Sequence, residues 1–219
     1  LALQALPPDL NQIGDYAFNS CTSLVLQKLP DGVNQIGDFV FDGCESLALQ
    51  ALPDGLKQIG DFAFNGCENL ALQALPPDLT QIGYMAFSGC TSLDKIIMEP
   101  STAPTLRTGA FENTSSGLTF YVPKGGTGYN SGGWENLNTV EYTPITSISL
   151  PPILELRPHG SGTLPPTFIP GGATFKEIIW ESSDTNIVTV NQDGKVTAVS
   201  NGTATITATS RQGRKTAAC

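Results

Sequence analysis

Residues 24–46 read LVLQKLPDGVNQIGDFVFDGCES, and residues 47–69 repeat the pattern as LALQALPDGLKQIGDFAFNGCEN. The Leu-Pro dipeptide, the Ile-Gly dipeptide, the phenylalanine and the cysteine recur every 23 residues, and residues 1–23 match residues 47–69 at 16 positions. A fixed period of this length is typical of a solenoid, in which each unit buries its apolar side chains against the next. Four regular units occupy residues 1–92.

Each 23-residue unit is too short for two helices but fits one strand and one short helix. LALQALP predicts a short strand that ends at proline, because proline cannot continue a hydrogen-bond ladder. IGDYAFNSC predicts a turn at glycine and then one or two helical turns, with an aspartate that accepts the free amides at the helix start. These aspartates are Asp15, Asp38 and Asp61. In the second unit the predicted interior residues are Leu24, Leu26, Leu29, Val33, Ile36, Val40, Phe41 and Cys44.

With these residues the units resemble the BspA-type class of bacterial leucine-rich repeats, whose pattern is roughly SLxxIxIPxxVxxIGxxAFxxC. The resemblance covers residues 1 to about 117. Residues 92–98 begin a fifth, irregular unit, and residues 109–111 form its later part. The regular units depart from the family in one respect, because a glutamine stands where the family has an apolar strand residue and a leucine moves one position earlier.

The chain after the array is similar to the terminal cap of such solenoids. The residues that carry this similarity are Tyr121, Val122, Pro123, Lys124, Gly125, Tyr129, Trp134 and Leu137. We predict a cap at about residues 118–142, because the last unit would otherwise expose its interior to water. Residue 1 lies in the middle of a repeat pattern, so any export signal is expected upstream of it.

Residues 143–219 show the pattern of a second, all-β domain. Short segments rich in threonine and valine predict strands at residues 145–150, 175–180, 187–190, 195–199 and 203–209. Asp193-Gly194 predicts a hairpin turn between two of them. Residues 180–184, 187–190, 193–199 and 202–209 resemble the group 2 bacterial immunoglobulin-like domain over about residues 144–219. We therefore predict a multi-domain chain: a leucine-rich repeat solenoid at 1–142, then an immunoglobulin-like β-sandwich at 143–219 with an incomplete last strand.

The charge distribution argues against several classes of function. Residues 1–142 hold 15 acidic and 5 basic residues, whereas residues 143–219 hold 5 acidic and 6 basic residues. An acidic solenoid is a poor partner for nucleic acid, which needs clustered lysine and arginine. His159 is the only histidine, so multi-histidine metal sites are excluded and a serine-type triad has one candidate base. No apolar run approaches the roughly 20 residues of a membrane helix. We expect no catalytic residues and no cofactor.

Two columns of side chains are candidates for a binding surface. The first contains Gln4, Gln27, Gln50 and Gln73, with Lys28 beside it. These glutamines either form a hydrogen-bonded ladder or present a polar stripe to a ligand. The second contains Tyr16, Phe39, Phe62 and Met85, which either pack between helical turns or expose an aromatic stripe to a sugar or protein. Exposed aromatic rings would favour recognition, whereas a surface of glutamine, lysine and alanine would favour a spacer.

Cys21, Cys44, Cys67 and Cys90 form a further column. Their spacing differs from that of metal ligands, which come in pairs two to four residues apart. Neighbouring units place such thiols about 5 Å apart, which permits a disulfide, but buried reduced thiols that fill the interior are the favoured interpretation.

The resemblance to BspA-type repeats and to a bacterial immunoglobulin-like domain implies an extracellular protein of the cell surface. We expect an adhesion or recognition module that binds a protein or surface polymer of a host or neighbouring cell through the solenoid. The immunoglobulin-like domain would then act as a spacer. The alternatives are a structural spacer without a specific ligand and a carbohydrate-binding accessory protein. We expect a monomer.

Overall fold

The chain divides between Glu141 and Tyr142 into two units, Leu1–Glu141 and Tyr142–Cys219. The computed structural model describes residues 5–219. Gln4, the first glutamine of the predicted binding surface, lies outside the described residues. No helix within residues 5–219 is long and apolar enough to span a membrane.

The first unit is a solenoid whose rungs follow the 23-residue repeat. Its strands are β1 (Gln12–Ile13), β2 (Gln35–Ile36), β3 (Gln58–Ile59), β4 (Ala74–Leu75), β5 (Gln81–Ile82), β6 (Lys95–Met98), β7 (Thr105–Leu106), β8 (Thr119–Pro123) and β9 (Thr139–Tyr142). One sheet has the order β1-β2-β3-β5-β7 and is parallel throughout, and the other has the order β4-β6-β8-β9. The register pairs Gln12, Gln35 and Gln58 each with the glutamine of the next rung, and Gln81 with Thr105.

The predicted short helix in each rung was wrong. The segment after each Ile-Gly is a series of turns, in which Phe39 and Phe62 have left-handed backbones (φ 55°) that a right-handed helix does not contain. Alternate amides donate along the solenoid, as Phe39 N–H does to Asp61 O (2.9 Å) and Phe41 N–H to Ala63 O (2.8 Å). The intervening amides close turns within the rung. The amides that a helix would use internally therefore join successive rungs.

Among residues 5–219 the predicted strand at LALQALP is present only in the fourth rung, as Ala74–Leu75. In the described parts of the first three rungs this segment is extended without regular ladder bonds, and the strand forms at the Gln-Ile dipeptide instead. The leucines of the segment still point inward, because their burial depends on alternation of side chains and not on ladder bonds. Leu47 and Leu49 are both fully buried.

The predicted interior is confirmed. All eight side chains predicted for the second rung are buried. The inner phenylalanines stack rung upon rung, with ring centroids 5.1–5.4 Å apart, in the order Phe18, Phe41, Phe64, Phe87 and Phe111. Beyond Phe111 the rings of Phe120 and Trp134 cover the end of this column. Trp134 begins a single 3-10 turn, Trp134–Asn136, and its Nε1 donates to Pro104 O at 2.8 Å.

The second unit is a β-sandwich of short strands. They are β10 (Ser147–Ser149), β11 (Ser161–Thr163), β12 (Thr167–Ile169), β13 (Ile178–Ser182), β14 (Val188–Val190), β15 (Lys195–Ala198), β16 (Ile206–Ser210) and β17 (Thr216–Ala218). The sheets have the orders β10-β12, β11-β15-β14 and β13-β16-β17. Each predicted strand overlaps an observed one, and the predicted hairpin joins β14 to β15 through Gly194 at φ 75°. Trp180, Val196 and Ile206 lie in the core.

Candidate functional site

A row of aromatic side chains lies on the outside of the solenoid, and we call it the aromatic ridge. The rings of Tyr16 and Phe39 stack with centroids 4.8 Å apart, and those of Phe39 and Phe62 with centroids 4.7 Å apart. Tyr84 continues the row by meeting Phe62 edge-on at 5.2 Å. Tyr16 is 59% exposed and Tyr84 is 39% exposed. The ridge therefore consists of Tyr16, Phe39, Phe62 and Tyr84.

The backbone explains why these rings point outward. The rung turns in the left-handed conformation at Tyr16 (φ 59°), Phe39 and Phe62, so the ring at this position and the ring two residues later lie on opposite sides. A left-handed residue other than glycine costs about 1–2 kcal/mol, and stacking against the rings above and below offsets part of that cost. Met85 has the same backbone (φ 49°), but Tyr84 supplies the ring of the fourth rung. The predicted helical turns were wrong, because the structure has a series of turns at these positions. The aromatic side chains do pack, but against those of the neighbouring rungs.

The direction of the rings limits what the ridge can bind. Adjacent rings are nearly parallel, with interplanar angles of 4° for Tyr16 and Phe39 and 13° for Phe39 and Phe62. Stacking therefore covers both faces of the Phe39 ring and one face each of the Tyr16 and Phe62 rings. A sugar binds best on an open aromatic face, whereas an edge provides apolar contact area for a side chain. The ridge therefore suits apolar side chains of a protein better than sugar rings.

An aspartate row, consisting of Asp15, Asp38 and Asp61, precedes the ridge by one residue in each rung. Asp15 Oδ1 accepts the amide of Asp38 at 2.8 Å, and Asp38 Oδ1 accepts that of Asp61 at 2.7 Å. Asp61 Oδ1 accepts the amide of Tyr84 at 2.8 Å. The carboxylates thus accept free amides, as predicted, but these belong to the next rung and not to a helix start. Within residues 5–219 no three histidine, cysteine or acidic side chains are placed to hold a metal ion.

A second polar row directly follows the inner phenylalanine along the chain. Asp42 accepts hydrogen bonds from the side-chain amides of Asn19 (3.1 Å) and Asn65 (2.7 Å), one rung to either side. Sequence reasoning missed this row, although the recurrence of asparagine or aspartate directly after the inner phenylalanine signals it. In the order of the chain the ridge stands between two polar rows, and the side chains of both rows are held by contacts between rungs.

The glutamine column lies elsewhere on the rung. Gln27, Gln50 and Gln73 are exposed, as is Lys28, whose Nζ lies 3.9 Å from Asp31 Oδ1. In the described chain no side-chain hydrogen bond links these glutamines, so the structure contains no glutamine ladder. Their neighbours on this surface are aliphatic, namely Val25, Ala48 and Ala71.

The candidate residues therefore fall into two groups. Gln73 directly precedes β4 and belongs to the segment that pairs with β6, whereas the ridge follows the strands of the other sheet. No hydrogen bond or ring contact among residues 5–219 joins the two groups. A second glutamine column, which sequence reasoning missed, lies closer to the ridge. It comprises Gln12, Gln35, Gln58 and Gln81, and the signal was its 23-residue recurrence before Ile-Gly.

The cysteine column consists of three buried thiols, Cys44, Cys67 and Cys90, and of the half-buried Cys21. Cys44 Sγ donates to Phe18 O, Cys67 Sγ to Phe41 O and Cys90 Sγ to Phe64 O, each at 3.1 Å. All five cysteines of the chain lie among the described residues, and none is in a disulfide. Burial raises the pKa of the Cys44 thiol to about 11 and that of Cys90 to about 12, and burial also raises the pKa of Cys67. These thiols are therefore structural donors in their neutral form.

We expect alkaline pH to destabilise the solenoid through these thiols. An unfolded thiol loses its proton near pH 9.0, whereas folded Cys44 keeps it until about pH 11, so stability falls as pH rises between these values. In Cys44→Ser the hydroxyl still donates to Phe18 O but does not ionise in this range. Urea unfolding at pH 8, 9, 10 and 11 should show the wild type losing on the order of 2 kcal/mol more than the variant. Parallel pH profiles for the two proteins would contradict this expectation.

The fold and its surface define a leucine-rich repeat solenoid followed by an immunoglobulin-like domain. The chain belongs to the BspA type leucine rich repeat family, whose repeat pattern matches residues 5–152 in six copies. Residues 144–219 match the bacterial immunoglobulin-like domain of group 2. Repeats and domains of these types are non-catalytic, and they are typical of protein-interaction modules at bacterial surfaces.

Similar proteins share only parts of this chain. A kappa-carrageenase of Pseudoalteromonas carrageenovora is 50% identical over 52 residues, which are 24% of this chain and 13% of that protein. An uncharacterized protein of Clostridium acetobutylicum is 47% identical over 59 residues, which are 27% of this chain and 6% of that protein. A leucine-rich repeat protein from Bacteroides ovatus has a solved structure with a TM-score of 0.36 and 24% identity, over 68% of this chain and 43% of that one. The chain thus spans a minor part of each of these relatives.

Proposed function

We propose that this chain is part of an extracellular bacterial surface protein, in which the solenoid recognises a protein partner through the aromatic ridge. Residues 1–142 would form the recognition module, and residues 143–219 would form a spacer. The observation that carries the proposal is the ridge itself, in which Tyr16 is 59% exposed and Tyr84 is 39% exposed beside two half-buried phenylalanines. The partner is a protein and not nucleic acid, because 15 of the 20 acidic residues lie in the first unit.

The arrangement of the ridge supports protein recognition in two ways. Exposed tyrosine and phenylalanine side chains are the residue types that most often anchor protein interfaces. The stacked rings are also held in place before binding, by the rings at 4.7–4.8 Å in neighbouring rungs. A partner therefore loses little affinity to the ordering of these side chains.

The glutamine column has a smaller part in this proposal. Gln27, Gln50, Gln73 and Lys28 are exposed among aliphatic residues and lie away from the ridge. They provide a surface without aromatic anchors, which suits a spacer better than a recognition site. These residues are therefore the matched control for variants of the ridge.

The test is binding of the immobilised full chain to a panel of extracellular matrix proteins and glycans, at low and physiological salt. We expect saturable binding to a protein of the panel that persists at physiological salt. The double variant Tyr16→Ser/Tyr84→Ser should weaken it at least tenfold, because each lost anchor typically costs more than 1 kcal/mol. Tyr16 is 59% and Tyr84 is 39% exposed, and neither lies in the interior column, so folding should be retained. The double variant Gln50→Ala/Gln73→Ala should bind like the wild type.

Two outcomes would overturn the proposal. Equal binding by the ridge variant and the wild type would move the site to another surface. If circular dichroism shows a folded chain that binds no protein or glycan of the panel, the structural spacer would be favoured.

A carbohydrate-binding accessory role is the second candidate. It is favoured by the partial similarity to a protein named kappa-carrageenase. The stacking of the ridge argues against it, because four of the six ring faces of Tyr16, Phe39 and Phe62 are covered by a neighbouring ring. Saturable binding to a glycan of the same panel, with no binding to proteins, would establish this role instead.

A further inference from the structure

Arg107 shows how a cation binds beside the aromatic ridge. Its Nη1 lies 3.0 Å from Oδ1 and 2.9 Å from Oδ2 of Asp61, although the two residues are 46 positions apart in the chain. The arginine spans the fourth rung, where Tyr84 stands in place of an aspartate. A guanidinium group therefore already occupies the last position of the aspartate row.

Asp15 and Asp38 occupy the position of Asp61 in the first two rungs, but within residues 5–219 no arginine or lysine binds their carboxylates. Both residues are exposed, and Oδ1 of each accepts the amide of the next rung at 2.7–2.8 Å. Oδ2 of each forms no hydrogen bond or ion pair within residues 5–219. These two carboxylates are thus fixed in position by the backbone, and each retains an oxygen that a partner can reach.

We propose that the ridge and the aspartate row together bind an extended basic segment of the partner protein. Its arginine side chains would bind Asp15 and Asp38 as Arg107 binds Asp61, and its apolar side chains would contact the ring edges. The charge of the first unit, with 15 acidic and 5 basic residues, complements such a segment. Arginine suits the site because its planar group is weakly hydrated and packs against aromatic rings. This inference rests on the proposed function and specifies its partner.

The spacing of the row is compatible with an extended peptide. Neighbouring rungs lie about 4.8 Å apart, whereas side chains on one side of an extended chain recur about every 6.7 Å. A long arginine side chain covers this difference, as Arg107 does when it spans a whole rung to reach Asp61.

The first experiment measures binding of a short synthetic peptide of alternating arginine and threonine to the full chain, by fluorescence anisotropy. Asp15→Asn/Asp38→Asn should weaken binding about tenfold, since it removes two charge-assisted contacts. Asparagine keeps the oxygen that accepts the amide of the next rung, so the fold is retained. The control Asp9→Asn/Asp78→Asn removes two exposed charges outside the row and should change binding less than about twofold. Equal losses in the two variants would overturn the inference.

A second variant should have the opposite effect. Arg107→Gln frees Asp61, so the row gains a third site and the peptide should bind severalfold more tightly. Lys124→Gln makes the same change in charge at an exposed position of the first unit and should leave binding unchanged. An equal gain in both variants, or no gain in Arg107→Gln, would overturn the inference.

The two proposals can fail separately. A panel protein that requires Tyr16 and Tyr84, but binds Asp15→Asn/Asp38→Asn with wild-type affinity, would overturn the basic partner segment. That result would leave protein recognition by the ridge standing.

Discussion

Replacement of Gly60 by alanine should lower the free energy of unfolding of the solenoid by about 3 kcal/mol, because the added methyl group has no room. An added Cβ would lie 2.5 Å from both the carbonyl carbon of Gly37 and Oδ1 of Asp38. The atoms of Gly37 are backbone and cannot move aside without separating two rungs. The amide of Gly60 donates to Ile36 O at 2.9 Å at the same place. Urea unfolding of the full chain measures the loss.

The same column provides the control. An added Cβ at Gly14 meets nothing within 4 Å, so Gly14→Ala should stay within about 0.5 kcal/mol of the wild type. Gly83 is as crowded as Gly60, with Asp61 N 2.6 Å from an added Cβ, and its alanine variant should repeat the large loss. A small loss at Gly60 and Gly83 would show that the rungs can separate without much cost.

Phe64→Ala should destabilise the solenoid by about 3–5 kcal/mol, the range for a fully buried phenylalanine. Phe64 is wholly buried and stacks between Phe41 at 5.3 Å and Phe87 at 5.2 Å. Its removal leaves a cavity in the middle of the interior column, and the rungs on either side cannot close it because their backbones are joined by hydrogen bonds. Chemical denaturation compared with the wild type gives the value.

Phe62→Ala is the matched control, since it changes the same residue type two positions away in the same rung. Phe62 is half-buried in the ridge and stacks on Phe39 at 4.7 Å, so its loss should cost about 1–2 kcal/mol. The difference between the two variants measures how much the interior column contributes beyond stacking alone. Equal losses would mean that the two columns contribute alike.

The interior of the solenoid could be predicted from the sequence because burial follows the repeat. Isoleucine recurs every 23 residues at the position of Ile36, and phenylalanine does so at the position of Phe41. A column of identical apolar side chains is expected where these side chains point into the interior. The hairpin at Asp193-Gly194 could also be predicted, since its turn chemistry is local. The interior follows from the repeat period and the hairpin from a local sequence pattern, and both signals are present in a single sequence.

The conformation of the rung could not be predicted in the same way. The aspartate at Asp15, followed by apolar Phe18 and Cys21 three positions apart, suits the start of a helix, and no local signal distinguishes that helix from a series of turns. The turns are favoured because the next rung supplies acceptors for their alternate amides, as Val40 O does for Phe18 N–H at 2.9 Å. A left-handed backbone at a tyrosine or phenylalanine is likewise unexpected from propensity, and it depends on stacked neighbours.

The candidate surface was predicted in part. Tyr16, Phe39 and Phe62 are partners in one row, but no sequence pattern favours Tyr84 over Met85 in the fourth rung. The two groups of candidates could not be separated before the strand positions were known, because the Gln-Ile strand was not predicted.

The direction of the amide bonds has a mechanical consequence. Bonds such as Phe41 N–H to Ala63 O run along the axis of the solenoid, and an outermost rung is held by one neighbour only, so a pull along that axis detaches the outermost rung first. Each rung that detaches releases 23 residues, which extend to about 80 Å of chain. A tethered solenoid of this kind would lengthen in equal steps under force, and the rungs still attached would keep their surface intact.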